Sequence, residues 1–172
     1  MSITIPISKL DVAKRQLETA IRLFFKEEDP VSIHTLSAAA YDILNPLCNS
    51  KGIKGFVKNT EMIKKERRKE YSKMINSAQN FFKHGSSDKD QVYQFHYEAT
   101  PFFIWDACNM YFHLTGERPK ELSIFNIWFY LRDPNMLAES PNKEILIKAT
   151  VEFNPSNKRK FYLDASQSFD MM

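Results

Sequence analysis

The sequence predicts an all-α fold, a compact antiparallel bundle of about five or six helices. One domain is expected over residues 1–153, with a loose tail over 154–172. Three observations predict this. Apolar residues recur at spacings of three and four through most of the chain. Start and stop signals punctuate those runs: Ser8-x-x-Asp11, Asp29-Pro30, Thr100-Pro101, Gly116 and Pro119. The connections between runs are short, which favours antiparallel neighbours. The chain has 172 residues, 43% of them hydrophobic and 13% aromatic, enough to build one core.

Taken in order, Ser8 and Asp11 open the first helix, and Leu10, Ala13, Leu17, Ala20, Ile21 and Phe24 give its apolar side. It should end near Lys26. Asp29 is a good N-cap and Pro30 suits a first helical position, so a second helix starts there. Its stripe is Leu36, Ala40, Ile43 and Leu47, and Pro46 should strain its last turn. A third helix is expected from about Thr60 to Lys83, a fourth from Phe102 to Thr115 closed by Gly116, and a fifth from Pro119 to about Leu131. Residues 86–99 read as a loop with a turn of helix. Glu144 to Val151 fits either a short helix or a strand. From Asn154 onward polar residues dominate, hence the expected loose tail.

The formal net charge is +3, but its distribution is uneven. Eight basic residues lie between Lys58 and Lys83 against three acids, while the remainder carries 16 basic and 18 acidic residues. The excess belongs to the predicted third helix. Such a run is commonly a solvated face; read functionally, Lys64, Arg68 and Lys83 would contact RNA phosphates. The two cysteines, Cys48 and Cys108, are too few for a disulfide framework, and MSITIPISKLD does not read as a signal peptide. No run of about 18 apolar residues exists, so no membrane span is expected and the cytoplasm is the expected home. Gly-rich phosphate loops, HExxH and paired Cys-x-x-Cys motifs are missing from the sequence, and neither a metal nor a cofactor is expected.

Three constellations carry chemistry. At the end of the third helix, Asn80 and His84 share a face, and a histidine in a last helical turn is favoured as the cation. In the second helix, His34 lies about 160° from Leu36, with Ala38 and Tyr41 on its own side. In the fourth, Asp106, Asn109 and His113 fall on one line of an otherwise apolar helix, as a proton-transfer site would require; a solvated edge would give the same pattern.

Gln79-Asn80-Phe81-Phe82-Lys83-His84 resembles the signature of the HEPN superfamily, α-helical domains that include metal-independent ribonuclease toxins. Their motif is Arg, often followed by Asn, then three residues, then His. Asn80 and His84 match, and Gln79 stands in place of the Arg. Arg68 lies roughly 24 Å from His84 along the same predicted helix. The resemblance implies His84 and Asn80 as catalytic residues acting on RNA, or an RNA-binding or antitoxin-like relative. Lys83 and Arg68 would supply charge and His34 would lie nearby. Thr19 to Phe25, Asp29 to Leu36 and Asn80 to His84 also resemble segments of a family of bacterial helical proteins, which implies a bacterial-type cytoplasmic protein and no particular activity.

The expected function is therefore a HEPN-like helical module that binds RNA or a partner protein, in a stress or toxin–antitoxin setting. The alternative is a non-catalytic scaffold, a homodimer formed through Ile124, Ile127 and Trp128. A third reading is a small-molecule or metal-dependent enzyme using Asp106 and His113, which requires a concave pocket lined by those residues.

Overall fold

A computed structural model describes residues 3–85, 90–134, 137, 139 and 141–171, and the regular structure among them is entirely helical. Helix α1 spans Lys9–Lys26. Ser8 and Asp11 cap it reciprocally: the Ser8 hydroxyl accepts the Asp11 N–H, and the Asp11 carboxylate accepts the Ser8 N–H, both at 3.1 Å. Helix α2 spans Pro30–Ser50, and the Asp29 carboxylate accepts the Ser32 N–H at 2.8 Å. Both starts fall where the sequence predicts them.

Helix α2 is the inner element, packed against α1 on one side and α4 on the other. Its buried residues are Ile33, His34, Ser37, Ala38, Ala40, Tyr41, Leu44 and Cys48. Leu36, Ile43 and Leu47 of the predicted stripe are half-buried instead. The His34–Ala38–Tyr41 side is thus a principal core face, and small Ser37 and Ala38 let a neighbouring backbone approach it. Pro46 does not end the helix. It sits on the exposed side, while Leu44 and Cys48 around it are buried and pin the final turn.

The third helix begins later than predicted. Residues Thr60–Met62 and Lys65–Arg67 form two 3-10 turns, and α3 spans Arg68–Lys83. The Arg68 guanidinium donates to the carbonyls of Ile63 at 3.1 Å and Glu61 at 3.4 Å. Those carbonyls are therefore engaged by a side chain rather than by a helical ladder. As a result Lys64, Lys65 and Arg67 lie in or beside a 3-10 turn ahead of α3, and the basic run does not occupy one α-helix.

Helix α4 spans Thr100–Thr115 and ends at Gly116, whose φ of 74° is the left-handed conformation glycine adopts without strain. Helix α5 spans Lys120–Arg132. Its Ile124 and Trp128 are buried, 0% and 2% exposed, among Phe24, Phe25 and Phe125. The face assigned to a dimer contact is therefore core, with Ile127 alone of the three exposed. Cys48 and Cys108 are both free, buried thiols.

Two helices lie beyond the predicted bundle. Helix α6, Pro141–Glu152, resolves the ambiguous segment as helix. The expected loose tail is helix α7, Lys158–Asp170, capped by the Asn157 side chain. Phe161, Ala165 and Phe169 recur every four residues and face the core, where Phe161 stacks on Phe25 with ring centroids 5.9 Å apart. Trp128 fixes the approach to α7 by donating to the Pro155 carbonyl at 2.9 Å. The result is a compact bundle of seven α-helices among the described residues. None of them is long and apolar enough to cross a membrane.

Helix α7 is an integral part of the core. Replacing Phe161 with Ala removes a fully buried ring and should lower the unfolding free energy by about 3–5 kcal/mol. Urea unfolding of the purified variant checks this; a loss below about 1 kcal/mol would return the segment to a dispensable tail.

Candidate functional site

The site is organised by one buried carboxylate. Asp106 is 4% exposed in the middle of α4. Its Oδ2 accepts three hydrogen bonds, from the Tyr41 hydroxyl at 2.8 Å, the Phe56 N–H at 2.7 Å and the Val57 N–H at 2.8 Å. A buried charge demands such partners, since a desolvated carboxylate without donors is strongly unfavourable. The partners come from α2 and from the loop after it, so Asp106 ties a connection of the chain onto the bundle. Tyr41 is held in its donor form, because burial and then the Asp106 charge push its pKa well up. Its oxygen also accepts the Lys58 N–H at 3.1 Å.

Gly55 makes this approach possible. A Cβ at that position would lie 2.7 Å from the Tyr41 hydroxyl and 3.2 Å from Asp106 Oδ2. The loop can close onto the carboxylate because that space is empty.

Lys58 continues the network on the other side of Tyr41. Its ammonium donates to Asp42 Oδ1 at 2.7 Å and to Gln79 Oε1 at 3.2 Å. The Gln79 amide donates in turn to Asp42 Oδ2, and Lys83 pairs with the same carboxylate at 3.5 Å. Burial alone would raise the Asp42 pKa, but the hydrogen bond and charge of Lys58 hold it below the usual carboxylate range. The network joins α2, the loop and α3.

The predicted residues separate into distinct places. Asn80 and His84 are exposed at the end of α3, and the His84 N–H closes the helix on the Asn80 carbonyl at 3.1 Å. Gln79, in the motif's arginine position, is 4% exposed and spent on bracing Asp42 and Lys58. Lys64 is exposed outside the helix, and Arg68 is committed to backbone carbonyls at the far end of α3 from Lys83. His34 is buried, not ligand-facing. Its Nδ1 lies 3.0 Å from the Thr100 hydroxyl, and the rings of Phe82, Phe95 and Phe103 surround it at 5.1–5.9 Å. Burial, and then the Lys58 charge, push its pKa down to about 4, so the ring is neutral at pH 7. Among the described residues no three His, Cys, Asp or Glu side chains are grouped to hold a metal ion.

Asp106, Asn109 and His113 do come together. They line one side of a hollow of about 430 Å³ between the loop and helices α4 and α5. Phe56, Asn59, Trp105 and Tyr130 line it with them. Sequence reasoning missed these four. Trp105 carried a usable signal, because it precedes Asp106 and sits four residues before Asn109 on the same helical face. Trp105 is fixed by stacking on Phe129 at 5.1 Å and by donating its indole N–H to the Tyr130 hydroxyl at 3.1 Å. Asn109 is half-buried and His113 exposed, and neither makes a hydrogen bond within the described protein. The three polar residues thus divide: Asp106 builds the wall, while Asn109 and His113 offer free donors and acceptors.

Comparison of the chain with protein-family models, with curated proteins and with solved structures returned no match.

Two outcomes are expected. Gly55→Ala forces Tyr41 or the loop off Asp106 and should cost about 1–3 kcal/mol in chemical denaturation; an unchanged midpoint would mean that the loop tolerates the Cβ. His34 gives a pH signature. Its folded pKa of about 4 lies below the unfolded value, so stability from the neutral ring is complete above about pH 6.5 and is lost as pH falls toward 4. Between pH 7 and 5 the wild type should lose about 2 kcal/mol more than His34→Gln, measured by urea midpoints at each pH. Parallel pH profiles of the two proteins would refute the assignment.

Proposed function

We propose that the protein is a binding module for a flat ring carrying hydrogen-bonding groups, of the kind a nucleobase presents, seated in the hollow beside Asp106. One observation carries this reading. Three aromatic side chains, Phe56, Trp105 and Tyr130, and four unburied polar ones, Lys54, Asn59, Asn109 and His113, line the same hollow. Aromatic surface binds a base of any identity by stacking, worth about 1–3 kcal/mol per base. A side-chain amide adds discrimination, because its paired donor and acceptor match the edge of a base. The rigid wall behind them keeps the cost of ordering the site low.

An RNA strand is the source of such a base that the surrounding charge favours. Met62 lines the hollow, and exposed Lys64 and Lys65 come after Ile63, which follows it along the chain. Phosphates flanking a bound base would meet these ammonium groups, giving the salt-sensitive affinity of a backbone contact. Ribonuclease chemistry of the HEPN kind is not part of this reading. The residue in the motif's arginine position is a buried brace, and Asn80 and His84 stand on open surface.

The test is optical. Trp105 and Trp128 are the chain's two tryptophans; Trp128 is in the core and Trp105 lines the hollow. Titration with the four ribonucleosides and with short mixed-sequence RNA should quench the fluorescence of Trp105. The response should vanish in Trp105→Phe, and affinity should fall about tenfold in Asn109→Ala, equivalent to about 1.4 kcal/mol. Fluorescence that stays flat to millimolar ligand would remove the reading.

A further inference from the structure

We infer that the ligand of this site carries a phosphate group beside its ring, bound in a second, adjoining hollow lined by the same 54–61 loop; this rests on the ring-binding reading above. The second hollow has a volume of about 150 Å³ and shares Lys54, Gly55 and Asn59 with the aromatic one, so the two adjoin along the loop. Its chemistry is different. Asn45, Asn49, Lys58 and Thr60 complete the polar lining with Glu61, and no apolar side chain contributes. A space of about 150 Å³ has room for a tetrahedral oxyanion with water beside it.

The polar groups suit an anion. Lys58 is held by Asp42 and Gln79, which use two of its three ammonium protons and leave the third. The Lys54 ammonium donates to Glu61 in an ion pair whose side chains are 55% and 62% exposed. Such an exposed pair is weak, so Lys54 can exchange Glu61 for a ligand oxygen at small cost. Asn45 and Asn49 are one turn apart on α2, and neither is engaged within the described protein. Their amide N–H groups and the Thr60 hydroxyl are donors for phosphate oxygens. Glu61 opposes the anion and at the same time occupies Lys54 until a phosphate displaces it.

A ring-binding hollow adjoining a polar one with room for a phosphate suits a nucleotide unit. That unit is either a free nucleoside monophosphate or one residue of an RNA strand.

The experiment measures dissociation constants of the full chain for a nucleoside, its 5′- and 3′-monophosphates and a trinucleotide of the same base, with inorganic phosphate as competitor. One of the monophosphates should bind at least tenfold tighter than the nucleoside. Lys54→Met and Asn49→Asp should each shrink that advantage to less than threefold, and Asn49→Asp should leave nucleoside affinity where it was. Glu61→Gln should keep or enlarge the advantage. Thermal unfolding of each variant at the wild-type temperature confirms that the fold is retained. Equal affinity for nucleoside and both monophosphates overturns the phosphate subsite and leaves the ring site standing. Failure of every ligand overturns both. If the phosphate advantage is present, a trinucleotide that binds tighter than the monophosphate identifies a strand as the source, and one that binds more weakly identifies the free nucleotide.

Discussion

The Asp106 carboxylate is the constraint on which the rest of the structure depends. A charge at the centre of an apolar helix is stable only if donors reach it, and its donors come from chain 49 to 65 residues away. Satisfying the charge therefore dictates tertiary structure. It brings Tyr41 across from α2, draws the loop after α2 onto the bundle and requires glycine at position 55. Truncating the carboxylate would leave the buried Val57 N–H and the part-buried Phe56 N–H without their acceptor, and an unsatisfied buried donor is costly.

Both hollows follow from the same contact. The loop is fixed at Phe56 and Val57, and a hollow opens against it toward α4 and α5 and another toward α2. One gap faces Trp105 and Tyr130 and is aromatic. The other faces Asn45 and Asn49 of α2 and is polar. Lys58 joins three elements: its backbone N–H meets Tyr41, and its ammonium joins Asp42 and Gln79. Rigid backbone with a few free polar tips is what keeps a binding site from having to be ordered by its ligand.

Local chemistry made much of the fold legible. Ser8, Asp11, Asp29, Pro30 and Gly116 act within one turn of their own positions, so the starts of α1 and α2 and the end of α4 can be read directly. The start of α3 cannot. Residues 60–67 have helix-favouring composition, yet the Arg68 guanidinium reaches back to the Ile63 and Glu61 carbonyls, a side-chain contact that apolar periodicity does not signal. Helix α7 was legible in principle, since the Phe161–Ala165–Phe169 spacing is helical; its abundance of Lys, Ser and Asp obscured three apolar residues that were enough to anchor it. Their spacing places Asp106, Asn109 and His113 on one face, but nothing in it shows their division of labour. No signal near Asp106 announces a loop 50 residues earlier. His34 and Gln79 mislead for the same reason: polar residues at striking positions turn out to satisfy partners inside the protein.

The hydrogen bonds of Phe56 and Val57 have a consequence for how the molecule opens. Loop amides ordinarily trade their protons with solvent quickly, because nothing but local fraying is needed to expose them. These two are locked to a carboxylate inside α4, and they are released only when α4 and the loop part. The irregular stretch between α2 and α3 thus belongs, at those two amides, to the same cooperative unit as the central helices. Its slowest exchange should report the opening of the bundle itself, while residues a few positions away exchange as surface chain does.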